Sequence, residues 1–142
     1  MGQYLYRQDG IPMPDMPIIA QQFTERKQVC DSRYRSIIGH LDLMIEQIRR
    51  QPARNLTAEL DHLLYAVMDH IVSENTCMEL VGFPQAAQHR LHHQFICVNT
   101  RELRHRFSKG QYVLPDELAY VRLLWLVHIQ SYDRYFEEFL AT

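Results

Sequence analysis

His70-Ile71-Val72-Ser73-Glu74, a Gly82-Phe83-Pro84 break and then His89-Arg90-Leu91-His92-His93 form the stretch on which the fold turns. Residues four apart on an α-helix lie one above the other, so His70 stacks with Glu74 and His89 with His93. Each pair interrupts an apolar stripe. Leu60, Leu63, Val67, Ile71, Met78 and Val81 surround the first pair, and Ile96, Leu103 and Phe107 continue the second. The spacing predicts one helix over roughly 56–81, with Asn55 or Thr57 as its N-cap, and another over roughly 86–109. The first stops at a C-cap glycine followed by a proline, the second at Gly110. A connection this short makes the two antiparallel.

The same periodicity extends outward in both directions. A first helix over roughly 23–50 carries Ile37, Leu41, Met44 and Ile48 and ends before Pro52. A fourth starts at Pro115-Asp116 and runs to the end with Leu118, Val121, Leu124, Trp125, Ile129, Phe136 and Leu140. Residues 1–22 contain Gly10, Pro12, Pro14 and Pro17, which exclude a continuous helix and predict an irregular arm. The expected fold is all-α: an up-down-up-down four-helix bundle over 23–142 with an N-terminal arm over 1–22. At 142 residues and 46% apolar composition the chain makes one domain with one core.

Composition removes several functions. A net charge of −2 offers no basic face to neutralise phosphates, so no nucleic-acid partner is expected. No apolar run approaches the roughly 20 residues of a bilayer span, so neither is membrane insertion. The first residues, MGQYLYRQDGIPMP, have no charged and apolar signal regions, and Tyr6 breaks the myristoylation pattern. Cys30, Cys77 and Cys97 show no C-x-x-C spacing, which suits reduced thiols in a cytoplasmic protein.

Polar residues on the inward faces carry the functional signal. His40 sits beside Ile37 and Met44, and His128 is in line with Val121 and Leu124. Five imidazoles and a carboxylate thus enter one core, at a cost of kilocalories each unless something satisfies them, as a metal ion does. Turns near residues 53, 83 and 112 set His40 opposite Val67, Glu74 opposite His93 and His128 opposite Cys97. At about 1.5 Å rise per residue these groups share a slab on the order of 10 Å thick, with room for two ions. A lone buried histidine is more often a hydrogen-bonded core residue, and one H-x-x-x-E or H-x-x-x-H arises readily by chance. Five inward histidines from four helices at one level do not.

Other signals read as surface or packing. Glu59…His62 and Glu102…His105 match the E-x-x-H of ferritin-like di-iron bundles, but Glu102 and His105 point opposite to His93, so these pairs are expected in solvent. His92 lies at the edge of the inward face and reads as a boundary residue or as a support just behind the ligands. Arg101, Arg104, Arg106 and Lys109 close a helix, where cations complement the dipole. Cys77 and Cys97 read as small hydrophobes near the site.

Together these motifs resemble the hemerythrin family. His70 to Glu74 is similar to its H-x-x-x-E, with Met78 where a methionine follows. Gly82-Phe83-Pro84 resembles its glycine-aromatic-proline turn, His89 to His93 its H-x-x-x-H, and His128-Ile129-Gln130-Ser131-Tyr132-Asp133 its H-I-x-x-x-D. The likeness covers the chain from about residue 37 onward. It implies two iron ions joined by an oxo or hydroxo bridge, a ligand set that imidazole and carboxylate chemistry also favours. One iron would be held by His89, His93 and His128 and the other by His40 and His70, with Glu74 and Asp133 bridging. Dioxygen would bind at an open position of the second iron, oxidising a diferrous pair to diferric.

The chain also departs from the family. The family's D-x-Q-H before the first ligand is here Ile37-Ile38-Gly39-His40. A tryptophan expected four residues before the last histidine stands three before it, as Trp125, and the usual tryptophan of the arm is missing. Asp133 lies about 140° round an ideal helix from His128, whereas Tyr132 is nearly in line. The family's spacing selects Asp133, and local unwinding or a π-bulge accommodates it.

Met78, Leu124, Trp125 and Ile129 would form an apolar ligand pocket. The expected role is reversible dioxygen binding for storage, transport or sensing rather than catalysis. The alternatives are a di-iron oxidase, a peroxide or nitric-oxide reductase with Tyr132 as proton donor, or a regulatory module with an attached or partner signalling domain.

Overall fold

The computed structural model describes residues 34–142. The expected arm over 1–22, the start of the first helix near residue 23 and Cys30 all lie outside the described residues.

Helix α1 is described over 34–50 and buries Tyr34, Ile37, Leu41, Met44, Ile45 and Ile48. A turn at 51–54 leads to α2, Thr57–Val81. Of the two expected cap residues, Asn55 acts, its side-chain oxygen accepting the Thr57 N–H at 2.9 Å. α2 ends because Gly82 takes the left-handed conformation, φ 64°, that a side chain disfavours. The N–H groups of Gly82 and Phe83 then turn back to the carbonyls of Glu79 and Met78, closing the helix end. Phe83 packs against Phe136 and Phe139, at ring distances of 5.0 and 5.1 Å, and with Met78 seals this end of the bundle.

Helix α3 spans Ala86–Ser108 and α4 spans Pro115–Val127. Proline at the first position of α4 has no N–H to leave unsatisfied, and Glu117 accepts the N–H of Leu114 at 2.7 Å. The expected fourth helix is one rod in three parts: α4, a π-helical segment at His128–Asp133, and α5 at Arg134–Ala141. The chain is an all-α, up-down-up-down four-helix bundle, with no strand among the described residues. None of the described helices is long and apolar enough to cross a membrane.

The basic run at the end of α3 does more than complement a dipole. Arg104 pairs with Asp61 of α2 at 2.7 Å, and Arg106 pairs with Glu117 across the α3–α4 connection. His62, Glu102 and His105 are exposed, as expected of the E-x-x-H decoys, while Glu59 is half-buried.

Candidate metal centre

Three elements bring six donors into the sealed half of the core. α2 supplies His70 and Glu74, α3 supplies His89 and His93, and the π segment supplies His128 and Asp133, every one of them buried. The Nε2 atom of His128 lies 3.1 Å from that of His89 and 3.0 Å from that of His93. Glu74 sits among them. Its Oε1 is 3.0 Å from His93 Nε2 and also contacts His89, and its Oε2 is 3.3 Å from His70 Nε2. Asp133 Oδ1 is 3.0 Å from His128 Nε2 and 3.3 Å from His89 Nε2. Yet both Asp133 oxygens are buried without a properly directed hydrogen bond. Buried nitrogens and carboxylate oxygens that crowd one point, with the Asp133 oxygens lacking a directed hydrogen bond, suit a cation at that point.

The donors fall into two overlapping groups, His70–Glu74–His93–His128 and Glu74–His89–His128–Asp133, with Glu74 and His128 in both. The π segment makes the second group geometrically accessible. A π-turn closes one residue later than an α-turn, so it brings Asp133 round to the face of His128. Tyr132, nearly in line on an ideal α-helix, instead stacks on His92 with ring centroids 4.3 Å apart.

Neighbours fix two of the imidazoles. His128 Nδ1 lies 2.8 Å from His92 Nδ1, and His93 Nδ1 lies 2.9 Å from the side-chain oxygen of Asn75. Burial and the nearby His128 push His92 down to about 4, so His92 is neutral and accepts the N–H of His128. That tautomer leaves His128 Nε2 facing the centre, the usual second role of a ligand histidine's other nitrogen.

The charges are mutually adjusted. Burial pushes Glu74 up, but hydrogen bonds from His128, His70, His89 and His93 outweigh it and hold the carboxyl well below its ordinary value. Burial likewise disfavours a charged His128, yet Asp133 and Glu74 carry it up to about 9. Burial takes His93 down to about 4 against the pull of Glu74.

One expected residue is not brought to the centre. His40 is exposed. The buried stripe of α1 runs through Tyr34, Ile37, Leu41, Met44, Ile45 and Ile48, and His40 lies about 90° from its middle on helical geometry. Tyr34 occupies the site instead, its hydroxyl 2.6 Å from His70 Nε2 and 3.3 Å from Glu74 Oε2. Sequence reasoning missed Tyr34 and Asn75.

Of the expected pocket residues, Met78, Leu124 and Trp125 are buried and Ile129 is half-buried. Trp125 packs its ring 5.8 Å from His70 and Tyr34 and 5.6 Å from His128. Met78 instead joins the Phe83–Phe136 cluster at the end of the bundle. A cleft of about 460 Å³ reaches His89 from the surface, lined by Phe83, Gln85, Gln88, Val127, Ser131, Tyr132 and Tyr135.

Bundle and donors together define a helical metal-binding protein whose centre is built of imidazole and carboxylate. Comparison with known proteins makes this particular. The chain is 32% identical over 108 residues to a bacteriohemerythrin of Stenotrophomonas maltophilia (strain R551-3), an alignment spanning 75% of this chain and 69% of that one. It is 26% identical over 107 residues to a bacteriohemerythrin of Pseudomonas paraeruginosa (strain DSM 24068 / PA7), with the same coverage. The chain belongs to the hemerythrin family. No protein-family model matches it, and no solved structure matches significantly.

Proposed function

We propose that this chain is a non-haem di-iron protein that binds dioxygen reversibly, for storage, transport or sensing. The observation that carries the reading is the pair of overlapping donor groups sharing Glu74 and His128 in one buried core. His89, His93 and His128 would hold one iron and His70 would serve the other, with Glu74 and Asp133 between them. Bound iron supplies the electrons and the open position that dioxygen needs.

The chain's own residues supply orientation and dryness. His92 and Asn75 hold His128 and His93 with Nε2 toward the centre. Trp125 walls the His70 side, and the Met78–Phe83–Phe136 cluster packs the core at the end of the bundle. The unpaired Cys77 and Cys97 support a cytoplasmic location.

A second reading, turnover of peroxide or nitric oxide, draws on the cleft that reaches His89. There Tyr132 and Ser131 bring hydroxyls to the approach. In a sensing role, an attached or partner signalling domain would read the oxygen or redox state of the centre.

The test is anaerobic purification, reconstitution with ferrous iron and admission of oxygen, with iron content and the visible spectrum recorded. Two irons per chain and a charge-transfer band that vanishes when oxygen is removed are expected. Irreversible conversion to diferric protein would favour the second reading, and failure to hold two irons would end the di-iron one.

A further inference from the structure

We propose that Tyr34 is the first-helix ligand of the centre, binding the second iron through its phenol oxygen. The inference rests on the di-iron reading above and assigns a ligand where an imidazole was expected. His40 is exposed, well away from the middle of α1's buried stripe, whereas Tyr34 is buried on that stripe.

The decisive detail is which nitrogen of His70 the hydroxyl meets. His70 Nε2 faces the centre, 3.3 Å from Glu74 Oε2, and the Tyr34 oxygen is 2.6 Å from that same nitrogen. A tyrosine that merely oriented His70 would bond the outward Nδ1, as His92 does for His128. His70 Nδ1 is instead buried with no hydrogen-bond partner. The Tyr34 oxygen also lies 3.3 Å from Glu74 Oε2, so it converges with an imidazole nitrogen and a carboxylate oxygen on one point.

Coordination need agrees. Three imidazoles, those of His89, His93 and His128, meet Oε1 of Glu74, while His70 is the one imidazole that meets Oε2, and Tyr34 adds a second donor there. Phenolate oxygen is an established iron ligand in proteins. On ligation the phenol O–H breaks, its proton leaves to solvent, and the oxygen lone pair forms the bond to iron. An anionic oxygen in place of a neutral imidazole favours ferric over ferrous iron. The centre therefore has a lower reduction potential than one built with histidine at this position.

The experiment loads the full chain with ferrous iron, oxidises it in air, counts iron and records resonance Raman spectra within the visible band. Wild-type protein is expected to hold two irons and to show tyrosine ring modes that shift on labelling with ring-deuterated tyrosine. Tyr34→Phe should lose those modes. Tyr34→His should keep two irons without them and show a higher reduction potential, which guards against Tyr34→Phe failing to fold. His40→Ala should leave spectrum and iron content unchanged. Two irons without tyrosine modes in the wild type would overturn the assignment and leave the di-iron reading standing. Modes that survive in Tyr34→Phe, or iron lost in His40→Ala, would also overturn it. Fewer than two irons in the wild type would overturn both.

Discussion

Deleting Gln130 tests whether the π segment is one residue inserted into an otherwise regular fourth helix. Gln130 is exposed and lies inside the π segment, so its side chain takes little with it. Asp133 stands five residues after His128, about 140° away on an α-helix, whereas four residues leave only about 40°. Removing Gln130 and relaxing to α geometry therefore keeps Asp133, and the buried Phe136 after it, facing the core.

A control deletion of the exposed Leu123, in the regular part of the rod, turns the two sides of the cut about 100° against each other. It pulls residues such as Trp125 and Phe136 out of register, each worth about 3–5 kcal/mol if its burial is lost. That approaches the whole stability of a domain, about 5–15 kcal/mol. The metal-free Gln130 deletion should stay within about 1 kcal/mol of wild type, a few degrees in Tm. Its iron affinity should fall, because Asp133 moves by about 1.5 Å along the axis relative to His89 and His128. Thermal unfolding followed by circular dichroism, with a chelator-competition titration, reads both quantities. A Gln130 deletion that unfolds like the Leu123 control, or that binds iron undiminished, would refute the reasoning.

Glu74→Gln keeps the volume of the side chain but removes the anion that His70, His89 and His93 face. Iron affinity should drop by more than about 100-fold in the same titration, and unchanged affinity would take Glu74 out of the centre. Trp125 is the chain's single tryptophan and is fully buried, so Trp125→Ala should destabilise by about 3–5 kcal/mol in chemical denaturation. A loss under about 1 kcal/mol would show that its packing on His70 and His128 matters little. For the metal-free protein, pH acts from both sides. His128, raised from 6.5 to about 9, contributes stability that is full below pH 6.5 and is lost as pH rises through 9. His93, lowered to about 4, contributes stability that is full above pH 6.5 and is lost as pH falls toward 4. Urea midpoints should therefore peak near neutral pH, and a stability still climbing at pH 9 would contradict the assignment.

Where turns and helical period together decide a position, the sequence was sufficient. A turn near residue 83 places Glu74 opposite His93, and the two lie 3.0 Å apart. Asp133 needed a departure from the α period that no periodicity contains. The family's spacing supplied the residue, and a π-bulge was one of two accommodations offered for it. First-helix reasoning failed on phase. His40 lies between Ile37 and Met44 along the chain, but Leu41 and Ile45 shift the middle of the stripe away from it. The register that sets His40 opposite Val67 also sets Tyr34 opposite Ser73, between His70 and Glu74, which is where the structure puts its hydroxyl.

A further signal was present. Asp31-Ser32-Arg33-Tyr34 shares the aspartate of the D-x-Q-H motif three residues before the proposed ligand Tyr34, with Arg33 in place of the glutamine, but a search restricted to histidines passes over it. His92 was legible as a support at the edge of the inward face, but Asn75 was harder to find, because its role depends on which imidazole nitrogen is turned outward. That is decided by side-chain packing between helices rather than by any spacing along one of them. The donors that could meet a metal were thus largely readable from spacing, while of the groups that aim them only His92 was. In this chain the exception among the donors, Tyr34, is also the residue whose chemistry most alters what the centre can do.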